Sequence, residues 1–212
     1  MGTLQGKIDA SGGALPMLRS SRVGQYVFPI QAEFSNWRDE QEAWANTAVL
    51  FDQSHHMTDL YIEGPDTVKL LSELGINSFR KFGRNKAKQF VACNHSGKVI
   101  GDAILFGLDD FRVNLVGRPH AANWVQYNAL AGGYDVVVER DERSLNNRRG
   151  RRCYRFEVQG PNAWTILEKL NGGPIEDIRF FSMGKIKIGG RFVRTLKHGM
   201  AAAPGLELWG PA

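Results

Sequence analysis

Two stretches decide the fold: "DLYIEGPDTVKLLSEL" at residues 59–74 and "RFEVQGPNAWTILEKL" at residues 155–170. Laid over one another at Gly64-Pro65-Asp66 and Gly160-Pro161-Asn162, both read as an alternating strand, a Gly-Pro turn and a helix capped by Asp or Asn. In the first helix Val68, Leu70, Leu71 and Leu74 form an apolar stripe, and in the second Trp164, Ile166, Leu167 and Leu170 do so. A hairpin follows each copy: "KQFVACNHSGKVIGDAILFGL" turns at His95-Ser96-Gly97, and "GKIKIGGRFVRTL" turns at Gly189-Gly190. The chain is therefore α+β, built from two related strand-helix-hairpin modules.

Working outward, residues 1–50 form an N-terminal segment with a tryptophan-bearing helix in "SNWRDEQEAWAN" (35–46), whose Trp37 and Trp44 are seven apart and share one face. The first module takes 51–140, a basic connector 141–153 and the second module 154–212. Strand "FRVNLVG" (111–117) feeds the helix "PHAANWVQYNALAGG" (119–133), which opens on proline and closes on glycines. "GLELWGPA" (205–212) alternates like a strand, and the second module is expected to stop there in mid-fold, with a C-terminal half missing.

The bulk properties bound the function. A chain of 212 residues with 42% hydrophobic and 23% charged residues is ordinary for a globular protein. The longest apolar runs are strand-sized, too short for a bilayer, and the N-terminus lacks a secretory signal pattern. Cys93 and Cys153 lie far apart without metal or disulfide partners, so free thiols and a cytoplasmic location are expected. The net charge is +5, and residues 143–152 carry five arginines in ten positions. No aromatic residue interleaves with them to stack on bases, so a solvated connector is the preferred reading and nucleic acid an unfavoured partner.

Several residues invite chemistry. At "VGRPHAANW", Arg118 adds a bidentate donor to a helix start, a place suited to a carboxylate, although a surface arginine beside a cap has the same sequence. Asp102 in "GKVIGDAILF" and Glu207 in "GLELWG" are isolated acids in apolar strands, where an unpaired buried carboxylate is costly. Such acids either are satisfied structurally or bind the N–H donors of a flat heterocycle. His55 and His56 in "LFDQSHHM" read as strand neighbours that face opposite ways, so they do not chelate one ion together. His198 and His120 stand isolated. No metal site is expected.

In order along the chain, "VLFDQSHHMTDLYIEGPD", "GKVIGDAILF", "FRVNLVGR" and "GLELWGP" resemble the folate-binding aminomethyltransferase family, the T-protein of glycine cleavage and its relatives. "NKAKQFV", "VGRPHAANW" and "LKHGMAAAPGLELWGP" are most similar to its tetrahydrofolate-dependent aryl O-demethylase branch, which acts on vanillate, syringate, 3-O-methylgallate and related methoxylated aromatic acids. The resemblance implies a T-protein-like folate-binding domain, tetrahydrofolate as cofactor and a methoxylated aromatic acid as substrate. Position by position it implies that Glu207 anchors the pterin, that Asp102 lies near the reactive folate nitrogens, and that Val116 packs on the folate. It further implies that Gln53, His56, Arg118 and Phe28 line the aromatic-acid pocket, with Asp102 and His56 the catalytic candidates and His55 a structural ring. Glycine-cleavage-type aminomethyl transfer is the alternative, and a non-catalytic folate- or RNA-associated module is the second.

Overall fold

The computed structural model describes residues 3–19, 35–199 and 202–212. Helices α1 (Leu4–Ala10), α2 (Ala14–Arg19) and α3 (Trp37–Asn46) precede strand β1 (Val49–Asp52). The first module runs β2 (Thr58–Glu63), α4 (Thr67–Leu74), β3 (Ala87–Cys93), β4 (Val99–Gly107) and β5 (Arg112–Gly117). Helix α5 (Pro119–Ala131) and strand β6 (Val137–Asp141) lead to the second module: β7 (Cys153–Gln159), α6 (Ala163–Asn171), β8 (Met183–Ile188), β9 (Arg191–Leu196) and β10 (Gly205–Pro211). The strand-turn-helix repeat, both hairpins and helix α5 all form where the sequence places them.

The two modules build two antiparallel five-stranded sheets of equivalent order, β3-β4-β5-β2-β6 and β8-β9-β10-β7-β1. The edge strands are exchanged: β1 precedes the first module but pairs with β7, and β6 precedes the second but pairs with β2. The registers match as well. Thr58 pairs with Gly117 in one sheet, and at the equivalent position Tyr154 pairs with Gly210 in the other. Reciprocal bonds tie the sheets together, Ala87 N–H to the Phe181 carbonyl at 2.8 Å and Met183 N–H to the Asn85 carbonyl at 2.9 Å. Asn85 and Phe181, equivalent in the repeat, both adopt left-handed backbone (φ 58° and 55°). The chain is a pseudo-twofold object.

Each Gly-Pro turn has the same steric cause. Gly64 and Gly160 have φ of 147° and 127°, and an added Cβ would lie 2.2 Å from the Asp135 carbonyl oxygen or 2.6 Å from that of Thr47. Only glycine fits the strand so close to its neighbour.

Alternation along the strands gives each sheet two buried faces. Leu60, Ile62, Leu105 and Leu115 pack outward under α4 and α5. Val158, Ile186, Leu206 and Leu208 pack outward under α6. Between the sheets, Phe106 and Val116 meet Cys153, Leu196 and Trp209, with the Phe106 and Trp209 rings edge-on at 5.6 Å. The expected helix stripes need correction at their margins. Val68, Ile166 and Leu170 are exposed, because each helix rests on its sheet through a narrower line, Leu70-Leu71-Leu74 and Ala163-Leu167. Ile166 and Leu170 instead border an apolar groove with Leu50, Phe156 and Leu208. Trp44 packs on Phe51, whereas Trp37 is exposed under the Arg38 guanidinium, so the two tryptophans do not share a buried face.

Candidate functional site

The inward faces of the central strands are polar. On β7 the alternation sends Phe156 and Val158 toward α6, and Arg155, Glu157 and Gln159 toward the other sheet. On β10 it sends Glu207 inward, and the register sets Glu207 directly opposite Glu157. From the other sheet β2 contributes Asp59, fully buried.

A buried ion network joins these groups. Arg155 donates to Asp59 at 2.9 Å and to Glu207, and its guanidinium lies 4.8 Å from the Phe106 ring centre. Asn114 and Arg151 complete the shell of Asp59. Arg151 also donates to the carbonyls of Asp141 and Glu142 and is almost wholly buried. This corrects the reading of residues 143–152 as a solvated connector at Arg151, whereas Arg148, Arg149 and Arg152 are exposed. Arg151 is a structural cation, and Arg152 pairs with Glu139.

Two carboxylates facing each other in a buried register repel, and one must take up a proton or a counter-charge. Glu207 has the counter-charges: despite its burial, Arg155 and the His198 imidazole hold its carboxyl below the usual range. Glu157 has no guanidinium partner among the described residues: burial, with Glu207 opposite, pushes it up to about 7 against the opposing pull of His198 and the Gln53 hydrogen bond. His198 Nε2 lies 2.8 Å from Glu207 Oε2 and 3.5 Å from Glu157 Oε1, and these acids raise its pKa against the effect of burial. The expectation that His198 stands isolated is thereby corrected: the loop after β9 brings it back over β10. Gln53 and Gln159 both donate side-chain amide N–H groups to Glu157. A hollow of about 300 Å³ opens beside His198, bounded by Phe180, Ala203 and Pro204.

The paired histidines sit in the turn between β1 and β2, which corrects their placement on a strand. The turn is fixed by Ser54, which accepts from Arg155 N–H and donates to the Arg155 carbonyl. His55 Nδ1 is 2.7 Å from Ser144 Oγ, with Asp52 3.7 Å away, so it braces the connector. His56 is half-buried, and its pKa is lowered by burial and then by the neighbouring Arg118 and Arg155 charges. Arg118 is exposed at the start of α5, with no side-chain cap bond. Extending the β4–β5 register by one residue from Ala103–Gly117 sets it opposite Asp102. Asp102 is on the inter-sheet face with Ile104 and Phe106, at its exposed rim, and accepts from Gln89 at 3.1 Å. Val116 is buried on that face beside Ile104.

Among the sequence candidates, the structure thus groups Gln53 with Glu207 through Glu157, and His56 with Arg118. Asp102 lies at the rim next to Arg118, and no hydrogen bond or ion pair joins it to Glu207 among the described residues. Phe28 lies outside the described residues. Sequence reasoning missed Asp59, Arg155, Glu157, Gln159 and His198. The available signal was the Arg-x-Glu-x-Gln alternation in β7, whose polar face reads as the solvent side until a second sheet covers it.

The family model of the GCVT N-terminal domain matches residues 14–212. The chain belongs to this family. It is 49% identical to a syringate O-demethylase of Sphingobium sp. (strain NBRC 103272 / SYK-6) over 211 residues, 99% of this chain and 46% of that protein. It is 31% identical to an aminomethyltransferase of Caldanaerobacter subterraneus subsp. tengcongensis over 191 residues, 88% of this chain and 48% of that one. Its fold matches the crystal structure of glycine cleavage system aminomethyltransferase T from Bartonella henselae with a TM-score of 0.64 at 22% identity, covering 82% of this chain and 44% of that chain. The chain spans about half the length of the curated relatives it matches. The family and the fold expected from the four sequence motifs are both found.

Proposed function

We propose that this GCVT domain binds tetrahydrofolate and a methoxylated aromatic acid of the syringate, vanillate or 3-O-methylgallate type, and that it serves methyl transfer from the aryl ether to the folate. The observation that carries the reading is the buried group Glu207, Glu157 and His198, held by Arg155, Gln53 and Gln159 between the two sheets. Its chemistry fits a pterin. Each Glu207 oxygen has one protein partner, so further lone pairs remain for ring N–H donors, and the neighbouring amides extend the set.

Tetrahydrofolate, when bound, supplies the amine nitrogen that takes the methyl group. The residues of this chain act by positioning. Glu207 anchors the heterocycle, Val116 offers it an apolar wall, and Asp102 lies toward its reactive edge. Arg118, bidentate and without a cap partner, holds the aromatic carboxylate. His56, kept neutral by burial and by Arg118 and Arg155, gives the aromatic oxygens a hydrogen bond without adding a charge. Gln53 is oriented by its bond to Glu157.

The 49% identity to a syringate O-demethylase favours this reading over aminomethyl transfer, whose relatives are more distant. An RNA-contacting role for the 143–152 arginines loses support, since Arg151 and Arg152 are committed to carboxylates. No helix among the described residues is long and apolar enough to cross a membrane, and the reading places the protein in the cytoplasm. The test is methyl transfer from syringate, vanillate or 3-O-methylgallate to tetrahydrofolate, followed as methyltetrahydrofolate and free phenol. Transfer only from a lipoyl-bound aminomethyl group would replace this reading with the glycine-cleavage one.

A further inference from the structure

The pseudo-twofold carries the candidate site onto a second place. Following the strand registers, Asp102 maps to Phe192, Glu157 to Tyr61 and His198 to Leu108. Gln89 and Ile104, paired across β3 and β4, map to Lys185 and Arg194, paired across β8 and β9. Val116, Gly117 and Arg118 map to Trp209, Gly210 and Pro211, and His56 maps to Arg152. These counterparts are not scattered. They line one cleft of about 600 Å³ at the opposite end of the gap between the sheets.

The chemistry of that cleft is inverted. Where the candidate site has two acids and a histidine from Asp102, Glu157 and His198, the cleft has two rings and a leucine. Where the candidate site has Gln89, Ile104 and His56, the cleft has three cations. Lys185 and Arg194 have no carboxylate partner within ion-pair distance among the described residues, and the Arg194 guanidinium lies 5.1 Å from the Trp209 ring centre. Arg152 and Arg112 also line the cleft but are neutralised by Glu139 and Glu63. The one acid in the wall, Asp109, is paired with Arg84. Trp209 is 6% exposed, and its indole N–H is buried without a partner.

We infer that this cleft is a second ligand site, for a small planar aromatic anion whose ring packs against Tyr61 and Phe192 and whose carboxylate or phosphate meets Lys185 and Arg194. Its volume falls in the range of small-molecule sites, and an open cleft of this size suits a single ring system better than a nucleic-acid strand, which needs an extended track of cations and rings. The inference rests on the registers and the cleft, not on the proposed methyl transfer.

The test uses the indole N–H resonance of Trp209, assigned by Trp209→Phe, in nitrogen-labelled chain. Phenyl phosphate and benzoate are the probes, with benzyl alcohol as the uncharged control and inorganic phosphate as the ringless one. At least one aromatic anion should shift the Trp209 signal saturably, binding about ten-fold more tightly than either control. Lys185→Gln with Arg194→Gln should weaken it by about ten-fold or more while tetrahydrofolate binding persists. Phosphate or carboxylate as the preferred headgroup follows from which probe saturates first. The inference is overturned if neither aromatic anion moves the signal, if the double variant binds them as the parent does, or if only an oligonucleotide shifts it.

Discussion

Asp59 and Arg155 stand at the same position of the two modules and bond each other at 2.9 Å across the interface between the sheets. An internal repeat normally places equivalent residues far apart, but here the pseudo-axis passes between these two, and opposite charges let the equivalent sites meet. Their diagonal neighbours match too: Asn114 bonds Asp59 as Glu207 bonds Arg155. The pair is therefore both the centre of the fold and the anchor of the candidate site, since Arg155 holds Glu207.

Removing one partner of such a buried pair leaves an uncompensated charge, at a cost of about 3–5 kcal/mol. Arg155→Met and Asp59→Leu should each destabilise the chain by that order in urea unfolding. The double variant should be less destabilised than the sum of the two, because neither member of the pair is left buried without the other. Additive losses would show that the two side chains do not act as a pair.

The fold was legible because its signals are local. Gly64-Pro65-Asp66 and Gly160-Pro161-Asn162, the Gly189-Gly190 turn and Pro119 each dictate a backbone shape within a few residues. The candidate site was legible only in part. Period two reveals that Arg155, Glu157 and Gln159 share a face, but not that another sheet buries it. The pairing of Glu157 with Glu207 spans the whole β7–β10 register, and His198 reaches them through a loop, so neither is visible from spacing. Placing Arg151 required knowing that Asp59 and Asp141 lie on neighbouring strands.

The two turn glycines should respond alike. Gly64→Ala and Gly160→Ala both force a Cβ into a backbone carbonyl at a φ that alanine rarely adopts. Each should lower stability by roughly 2 kcal/mol or more in thermal or urea unfolding. Ala at Gly97, a turn position with open space around its Cβ site but φ 73°, should cost less. A tolerant Gly64 or Gly160 would contradict the close approach of Asp135 or Thr47.

Protonation of Glu157 links stability to pH. Its carboxyl rises from an ordinary 4.5 to about 7 in the folded chain. A raised pKa means that the folded state holds the proton more tightly, so the stabilisation is full below the unfolded value and is lost as pH rises through about 7. The loss is at most about 3 kcal/mol. Glu157→Gln keeps an uncharged side chain at every pH. The stability of this variant relative to the parent should therefore increase by up to that amount between pH 5 and pH 8 in denaturant titrations. A pH-independent difference would show that Glu157 is ionised throughout.

The central claim is that Glu207 serves the folate and Arg118 the aromatic acid at one site. Calorimetric titration of tetrahydrofolate and of syringate into the chain and into two variants tests it most directly. Arg118→Ala should weaken syringate by about ten-fold or more through loss of a bidentate carboxylate contact, and leave tetrahydrofolate within about two-fold. Glu207→Gln, checked for folding by its thermal unfolding, should do the reverse. Equal losses of both ligands in both variants, or no loss in either, would contradict the account.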